Sequence, residues 1–335
     1  MHEALEKLSE NASDRLSKTA MPEWTEPMLA TLTHEYFSDP AWIFERKLDG
    51  QRCLFFKQGK NIRLMSRNQK NQNDYYPEIV DALKSLRGDF IVDGELVTFV
   101  DRLTSFSALQ NRMHVSNPGE KLLKDYPVFA YIFDLIYFDG YDLTHVTLKD
   151  RKSVLKTAFD ISDPLVYLAH KNEKGEKYLE DACERGWEGL IAKDSNSTYA
   201  HSRSTKWLKF KCAKGQEFVI GGYTAPKGER IGFGALLIGY YDKGQFLYAG
   251  KVGTGYDDNF LKDFWRRMDA HMRKTSPFDN FDESEDGITW LTPHFVGEVR
   301  FTEWTNGGKL RHPRFLGLRK DKAPGDVVRE DKRAA

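Results

Sequence analysis

Residues 45–50 read Glu45-Arg46-Lys47-Leu48-Asp49-Gly50, and they carry more information about this chain than any other stretch. They follow the strand formers at 42–44 and lead into a second apolar run at 51–56. Because residues two apart on a strand share a face, Glu45, Lys47 and Asp49 are expected to point into one pocket, with Gly50 at the turn. Such a concentration of charge suits a site that binds phosphate. The alternative from this stretch alone is an exposed charged hairpin.

The composition permits two domains and does not exclude nucleic acid as a partner. The chain has 335 residues, of which 40% are hydrophobic and 13% aromatic, so it can build two ordinary cores. Fifty basic and fifty acidic residues give a formal net charge of zero. The basic charge is local, however, with ten Lys and Arg against five Asp and Glu from Arg300 to Ala335. Local basic clusters can bind phosphates in a neutral protein.

The three cysteines and the N-terminal residues indicate the cellular compartment. Cys53, Cys183 and Cys212 are far apart in the sequence, so we predict neither a zinc site nor a disulfide framework, but free thiols in a reducing cytoplasm. Residues 1–20 are polar and lack the apolar core of a signal peptide, and no apolar stretch has the length of a membrane span. We expect a cytoplasmic protein that has no membrane partner and is associated with the nucleoid in a bacterium.

The pattern of apolar residues predicts an α+β domain followed by a small β-barrel. Strands are expected at 42–47, 51–57, 61–66, 90–100, 127–138, 189–193 and 206–211, and helices at 77–87, 105–113, 149–159 and 176–186. After residue 211, short strands with Gly turns and one helix near 257–274 fit a barrel of the OB type. The predicted segments are a polar arm at 1–20, a first domain at 21–213, a barrel at 214–325 and a tail at 326–335.

Charged residues interrupt strands that otherwise look buried. Asp93-Gly94-Glu95 and Asp134 lie in apolar runs, where a carboxylate is costly to bury unless it is hydrogen-bonded. The run 206–211 alternates, so we expect Lys206, Lys209 and Lys211 to share one face. Taken one at a time, most of these features have a structural explanation.

Taken in order, these features resemble the motif set of the ATP-dependent DNA ligases, members of the covalent nucleotidyltransferase superfamily. The motifs are Lys47-x-Asp49-Gly50, Ser66-Arg67, Asp93-Gly94-Glu95, Phe133-Asp134, Glu188-Gly189 with Lys193, Lys209-x-Lys211, and the stretch from Leu310 to Lys322. The likeness is greatest to the ligase module of bacterial end-joining ligases and their stand-alone relatives, through the stretches 217–224, 232–237 and 248–255. The chain departs from the eukaryotic replicative pattern at His312 and Gly317. The resemblance implies a nucleotidyltransferase (adenylation) domain followed by an OB-fold domain.

The resemblance also implies a role for each matching residue. Lys47 is the expected nucleophile, which becomes lysyl-AMP, and Asp49 the residue that assists it. The expected ATP and AMP contacts are Glu45, Arg52, Glu95, Phe133, Lys209, Lys211, Arg314, Arg319 and Lys322. Arg67 and Lys193 are expected to bind DNA, while Glu188 and Glu95 are the expected metal ligands.

The implied activity is the sealing of 5′-phosphate/3′-hydroxyl breaks in duplex DNA, with ATP and Mg²⁺ as cofactors and Mn²⁺ as a substitute. We expect a monomer that acts on nicked or broken DNA in repair, with DNA-end-binding proteins as partners. The second domain is expected to swing over the pocket about a hinge at Lys214 to Gln216. Two alternatives remain: an RNA ligase or capping-type nucleotidyltransferase, and a non-catalytic module that binds DNA ends.

Overall fold

The chain forms two compact units, residues 1–212 and residues 213–335. The computed structural model describes residues 2–212, 215–226, 228, 231–283, 287–301, 303–305 and 307–330. None of the helices in this described part is long and apolar enough to cross a membrane.

The first unit contains most of the regular structure. Its strands are β1 Ser17–Lys18, β2 Leu29–Leu32, β3 Trp42–Arg46, β4 Gln51–Gln58, β5 Asn61–Ser66, β6 Phe90–Val97, β7 Phe99–Val100, β8 Leu103–Thr104, β9 Phe129–Phe138, β10 Tyr141–Asp142, β11 Leu165–Tyr167, β12 His170–Asn172, β13 Gly189–Asp194 and β14 Arg203–Lys211. Its helices are α1 Glu3–Glu6, α2 Glu10–Ser13, α3 Pro77–Ser85, α4 Phe106–Leu109, α5 Glu120–Asp125, α6 Leu148–Ala158 and α7 Gly175–Glu184.

Two large sheets form the first unit. The seven-stranded sheet has the order β1-β10-β9-β6-β4-β5, with β11 beside β9, and the five-stranded sheet has the order β12-β3-β13-β14-β2. Pairing is antiparallel except between β11 and β9 and between β14 and β2, which are parallel. The facing sides meet where Phe133 of β9 packs edge-on against Trp207 of β14, with ring centroids 6.2 Å apart. We call the space between these two sheets the inter-sheet cleft.

Alternation along the strands explains why both faces of the seven-stranded sheet are covered. On β4, Phe55 belongs to the core that α3 and α6 cover, whereas Leu54 and Phe56 belong to the cluster that contains Trp207. Side chains on a strand point alternately to the two faces. The run 53–56 is therefore continuously apolar, as expected for a strand that is buried on both sides.

The second unit is a sheet-rich domain with one α-helix in its described part. Its strands are β15 Gly215–Thr224, β16 Leu236–Asp242, β17 Gln245–Val252, β18 Met272–Arg273, β19 Ile288–Arg300, β20 Glu303–Trp304, β21 Leu310–Arg311 and β22 Arg314–Leu318, and its helix is α8 Asp258–Met268. The main sheet has the order β17-β16-β15-β19-β18, with β22 beside β19. The core is rich in aromatic rings, which include Phe246 stacked on Phe278 at 4.6 Å. This is the OB-type architecture that the sequence predicts.

Two helix predictions extend too far. The predicted helix 105–113 is α-helical only over Phe106–Leu109, and His114 adopts a positive φ of 64° soon afterwards. The predicted helix 257–274 ends at Met268, where a short 3₁₀ turn and β18 follow. After the first helix Arg112 and Met113 still pack inward, whereas after the second Met272 is exposed, so its apolar side chain does not mark a buried helical position.

The prediction of three free thiols is wrong. Cys183 of α7 and Cys212 at the end of the first unit form a disulfide, and Cys53 is free and buried. Helix α7 packs against β13, and β14 beside it ends at Lys211. This packing brings together two cysteines that are 29 residues apart in sequence, which spacing alone cannot reveal.

Candidate active site

Lys47 lies directly after β3, at the mouth of the inter-sheet cleft. Its backbone N–H donates to the carbonyl of Gly189 at 2.9 Å, which extends the pairing of β3 with β13. Its ammonium group forms an ion pair with the carboxylate of Glu188. The two side chains are 19% and 23% exposed, so both are reachable from solvent. The structure thus brings two motifs that are 141 positions apart into direct contact.

Asp49 and Gly50 hold this segment in place. The backbone N–H of Asp49 donates to Thr104 Oγ1 at 3.1 Å, and its Oδ2 accepts from the N–H of Phe106 at 3.1 Å. A Cβ at Gly50 would lie 2.3 Å from the carbonyl oxygen of Leu96. Since real Cβ atoms do not approach so closely, glycine is required there for close packing against β6.

The opposite wall of the cleft carries Arg52 and Glu95, which are paired in the register of β4 and β6. The guanidinium of Arg52 donates to both carboxylate oxygens of Asp93 at 2.6 Å and lies 4.5 Å from the ring centroid of Phe133. Tyr199 donates a further hydrogen bond to Asp93 at 2.6 Å. Burial would lower the pKa of Arg52, but the ion pair with Asp93 outweighs it and raises that pKa. Arg52 is therefore a fixed cation beside the ring of Phe133.

Glu45 lies deep in the cleft and binds two lysines. Its Oε1 accepts from Lys152 at 2.5 Å and its Oε2 lies 2.6 Å from the ammonium of Lys193, with all three side chains at most 2% exposed. Burial favours the neutral acid, but the two ammonium groups outweigh it and hold the pKa of Glu45 below its ordinary value. The pKa of Lys193 falls to about 8, because burial and Lys152 outweigh the attraction of Glu45.

The position of Lys193 corrects one prediction. As a residue that binds DNA, it would need to reach a phosphate at the surface, yet it is buried between Glu45 and the rings of Phe133 and Trp207. An ammonium that is 2% exposed cannot contact a DNA backbone. Lys193 therefore belongs to the interior of the cleft.

The lysines of β14 are arranged differently from the prediction. The register pairs Gly189 with Lys211 and Ile191 with Lys209, so these two lysines share the cleft face with Trp207. Lys206 is of opposite parity, is exposed, and pairs with Asp194 at 2.9 Å. The predicted face of three lysines is thus wrong for Lys206, because alternation along a strand separates it from the other two.

Sequence reasoning missed Lys152, Tyr199 and Arg151. Arg151 of α6 forms a two-point ion pair with Asp134 at 2.7 Å, and both side chains are fully buried. This pair explains the acidic residue inside β9. The available signal was the placement of Arg151 and Lys152 between apolar positions of α6, but an amphipathic helix with exposed lysines has the same pattern.

The basic residues of the C-terminal motif lie in the second unit. The guanidinium of Arg319 binds Asp321 at 2.8 Å and Glu298 at 3.3 Å, and Lys322 lies 3.3 Å from Glu217. Arg314 on β22 is exposed. Arg67 follows the end of β5 and is partly exposed.

Glu188 is the carboxylate of the first unit that suits the expected metal ion. Among the described residues, no group of three or more His, Cys, Asp and Glu side chains could hold a metal by itself. Mg²⁺, however, keeps several waters and is commonly held by one or two carboxylates together with substrate phosphates. Glu188 presents a partly exposed carboxylate that already attracts a cation, and it therefore fits Mg²⁺.

Comparisons with known proteins assign the family. A model described as "ATP dependent DNA ligase domain" matches residues 27–211, and one described as "ATP dependent DNA ligase C terminal region" matches residues 229–322. The chain belongs to the ATP-dependent DNA ligases, which are enzymes that form phosphodiester bonds.

Within this family, the chain is similar to the LigD proteins. The chain is 36% identical to the multifunctional non-homologous end joining protein LigD of Pseudomonas aeruginosa, over 93% of this chain and 37% of that protein. It is 36% identical to the LigD protein of Mycobacterium tuberculosis, over 91% of this chain and 40% of that protein. The chain thus spans about two fifths of the length of these relatives. A solved structure described as "mycobacterial DNA ligase D complexed with ATP and MES" matches with a TM-score of 0.65 and 34% identity, over 91% of this chain and 98% of that one.

Proposed function

We propose that this chain seals 5′-phosphate/3′-hydroxyl breaks in duplex DNA through lysyl-AMP and AMP-DNA intermediates. The observation that carries the proposal is the ion pair between Lys47 and Glu188 at the mouth of the cleft, which Lys209 and Lys211 also line. A reactive amine beside an acceptor for its proton, close to fixed cations, is the arrangement that attack on a phosphate requires.

Lys47 acts as the nucleophile in the first step. A free lysine is protonated at neutral pH, whereas attack needs the neutral amine. Glu188 is placed to take the proton because its carboxylate already contacts the ammonium. The lone pair of Nζ then attacks the α-phosphorus of ATP, the bond from that phosphorus to the bridging oxygen breaks, and pyrophosphate leaves. Asp49, braced by Thr104 and Phe106, positions the segment and assists the later attack of the DNA hydroxyl.

The deep part of the cleft receives the adenosine. Phe133 offers a ring for stacking against adenine, and Arg52 beside it keeps that ring in place. Glu45 would accept from the amino group of adenine once Lys152 or Lys193 moves aside, because its carboxylate is 1% exposed and contacts both lysines. Glu95, next to Arg52 across the strand pair, binds the ribose hydroxyls.

Lys209 and Lys211 hold the α-phosphate, and Arg67 binds the 5′-phosphate of the nick. The support for Lys209 and Lys211 is their pairing with Ile191 and Gly189 of β13. Strand β13 begins directly after Glu188, so both lysines lie near that residue. Glu95, together with Glu188 once it has passed its proton to water, would hold Mg²⁺ or its substitute Mn²⁺, which would neutralise negative charge on the phosphoryl oxygens. Arginine suits the DNA phosphate because its planar guanidinium can donate two parallel hydrogen bonds.

The second unit supplies Arg314, Arg319 and Lys322, which orient the pyrophosphate leaving group. For Arg319 and Lys322 this means exchanging their present carboxylate partners for phosphate. The hinge for such a movement cannot include Gln216, because this residue is buried in the second unit and its side chain binds the backbone of Val328 and Glu330. Lys214, the other end of the predicted hinge, lies outside the described residues.

The biological role we propose is the repair of DNA breaks, with the chain acting as a monomer on nucleoid DNA. The relatives are named as end-joining proteins, which supports broken as well as nicked duplexes as substrates. DNA-end-binding proteins would then be its partners.

Labelling distinguishes this proposal from its two alternatives. The protein is incubated with Mg²⁺ and α-labelled ATP or GTP and then offered nicked DNA or nicked RNA. We expect label on the protein from ATP only, followed by sealing of DNA. Label from GTP would indicate capping chemistry, sealing of RNA alone would indicate an RNA ligase, and absence of label would indicate a non-catalytic module.

A further inference from the structure

The first unit has a cavity outside the residues proposed to bind ATP and DNA. It lies between α6 and the strands β3, β11 and β12, and its volume is about 540 Å³. We call it the α6 cavity. Its lining residues are Pro40, Ala41, Ile43, Lys149, Lys152, Ser153, Lys156, Tyr167, His170, Asn172, Ser195 and Asn196. This volume is in the range of small-molecule sites.

The α6 cavity is positively charged. Lys149, Lys152 and Lys156 lie three and four residues apart on α6 and therefore share one face of that helix, which Ser153 borders. His170 contributes an imidazole whose Nδ1 is buried and has no hydrogen-bond partner among the residues that the structure describes. None of the described residues that line the cavity carries a carboxylate. Three lysines in one concave wall, of which Lys152 is paired with Glu45 beneath the cavity, favour an anionic occupant.

The floor of the cavity has an excess of buried positive charge. Lys152, 2% exposed, donates to Glu45, and Lys193 binds the other oxygen of the same carboxylate. One buried carboxylate thus serves two ammonium groups. Burial, and then the charge of Lys152, lower the pKa of Lys193 to about 8, although the carboxylates of Glu45 and Asp134 oppose this fall. An anion beside Lys152 would add a second negative partner to this pair of ammonium groups.

We propose that the α6 cavity binds a phosphate ester, presented by a free nucleotide or by the phosphorylated end of a DNA strand. Phosphate oxygens suit a ring of lysine ammonium groups and hydroxyl donors, because such charge-assisted hydrogen bonds are the strong ones. The cavity is larger than a lone phosphate needs, and Ile43 with the ring of Tyr167 provides an apolar wall for a sugar or base. Through Lys152 and Glu45, the occupant is one ion pair away from the deep end of the inter-sheet cleft.

Calorimetric titration of the full chain with cytidine 5′-monophosphate, inorganic phosphate or a short 5′-phosphorylated oligonucleotide tests this site. The double variant Lys149→Glu/Lys156→Glu reverses the charge of the rim, and we expect it to weaken binding at least about tenfold, since two charge-assisted contacts are replaced by repulsion. The matched control is Lys121→Glu/Lys124→Glu, which makes the same charge change on α5, where both lysines are exposed. It should leave the affinity unchanged.

A neutral variant separates charge from shape. Ser153→Trp places a bulky side chain on the exposed rim and should also abolish binding without changing the charge. Tighter binding of the mononucleotide would identify a free nucleotide as the occupant, and tighter binding of the oligonucleotide would identify a DNA end. The proposal is overturned if no probe binds saturably, if Ser153→Trp and the rim variant both leave binding intact, or if the α5 control loses as much affinity as the rim variant.

Discussion

The charged residues of the first unit and those of the second unit are held in different ways. In the first unit, Asp134 and Arg151 are fully buried, and each guanidinium hydrogen bond to the carboxylate measures 2.7 Å. In the second unit, Arg319 is shared among Asp321, Glu298 and Glu217, and the side chains in this cluster are 13% to 19% exposed. Burial of Arg319 would lower its pKa, but Asp321 outweighs it and raises that pKa.

This difference indicates which charges are fixed and which can exchange partners. A buried pair that loses one member leaves an uncompensated charge without water, so its geometry is effectively permanent. A partly exposed arginine with several carboxylates can exchange one of them for a phosphate oxygen at little cost, since water covers the groups that are left. The charged groups of the first unit are thus held in fixed positions, whereas those of the motif in the second unit can bind a phosphate and release it.

Replacement of Lys47 should have the largest effect on activity. Lys47→Ala is expected to reduce formation of the protein–AMP adduct by on the order of 10³-fold or more, because the variant lacks the amine on which the bond to AMP forms. Thermal unfolding should change little, since the side chain is partly exposed and its partner Glu188 can be hydrated. Lys70→Ala, at an exposed turn, is the control. Label from ATP on the Lys47 variant would show that the nucleophile is another residue.

Breaking the buried pair of the first unit should have the largest effect on stability. Arg151→Met leaves Asp134 buried without its partner and is expected to cost about 3–5 kcal/mol of unfolding free energy. Arg319→Met in the second unit should cost less, because water can reach the carboxylates that remain. Urea unfolding of each variant, monitored by fluorescence and circular dichroism, measures the two losses of unfolding free energy. Equal losses of unfolding free energy in the two variants would show that the two ion pairs are held in the same way.

Replacement of Arg319 should instead affect one step of the reaction. Arg319→Ala is expected to slow lysyl-AMP formation by about 10–100-fold, the range for loss of one charge-assisted contact to a phosphate. Sealing of DNA that already carries AMP should be much less affected, because pyrophosphate has left before that step. Single-turnover assays with ATP and with pre-adenylylated nicks measure the two rates. A similar slowing in both assays would argue for a general structural role.

The buried lysine of the cleft predicts a dependence of stability on pH. The pKa of Lys193 is about 8 in the folded protein and 10.5 as its ordinary value, so between these values the unfolded chain binds the additional proton. Stability should therefore rise with pH across this window, by on the order of 1 kcal/mol per pH unit. The measurement is the free energy of unfolding relative to Lys193→Met between pH 7.5 and about 10.5. A relative stability that falls as pH rises would contradict the assignment.

The DNA contacts should give the smallest effects. Despite zero net charge, affinity for a nick should fall with salt, with a slope of about −5 in logarithmic terms if roughly six phosphates are contacted. Arg67→Glu should erase the preference for a 5′-phosphate over a 5′-hydroxyl nick, whereas Lys262→Glu, at an exposed position of α8, should only flatten the slope or have no effect. Equal loss of affinity for both nicks in the Arg67 variant would reduce that residue to a general backbone contact.

The strands of the first unit and its family were predictable because the local signals agree. The runs at 42–46, 51–58 and 61–66 form strands within one residue of their predicted ends, since their apolar patterns are not in conflict with the turns between them. The order of short motifs identified the ligase family, and the family models confirm it. The roles of individual residues within the cleft stay predictions.

The sequence by itself determined the elements, the family and the identity of Lys47 as the expected reactive residue. Tertiary structure decided the contacts: Glu188 beside Lys47, Lys193 buried beside Glu45, and the Cys183–Cys212 disulfide. The physical reason is that periodicity and turn chemistry act over a few residues, whereas burial and ion pairing depend on which distant strands lie side by side. A lysine at the end of an apolar strand has the same sequence pattern in both cases: when its ammonium group is hydrated at the surface and when it is paired with a buried carboxylate.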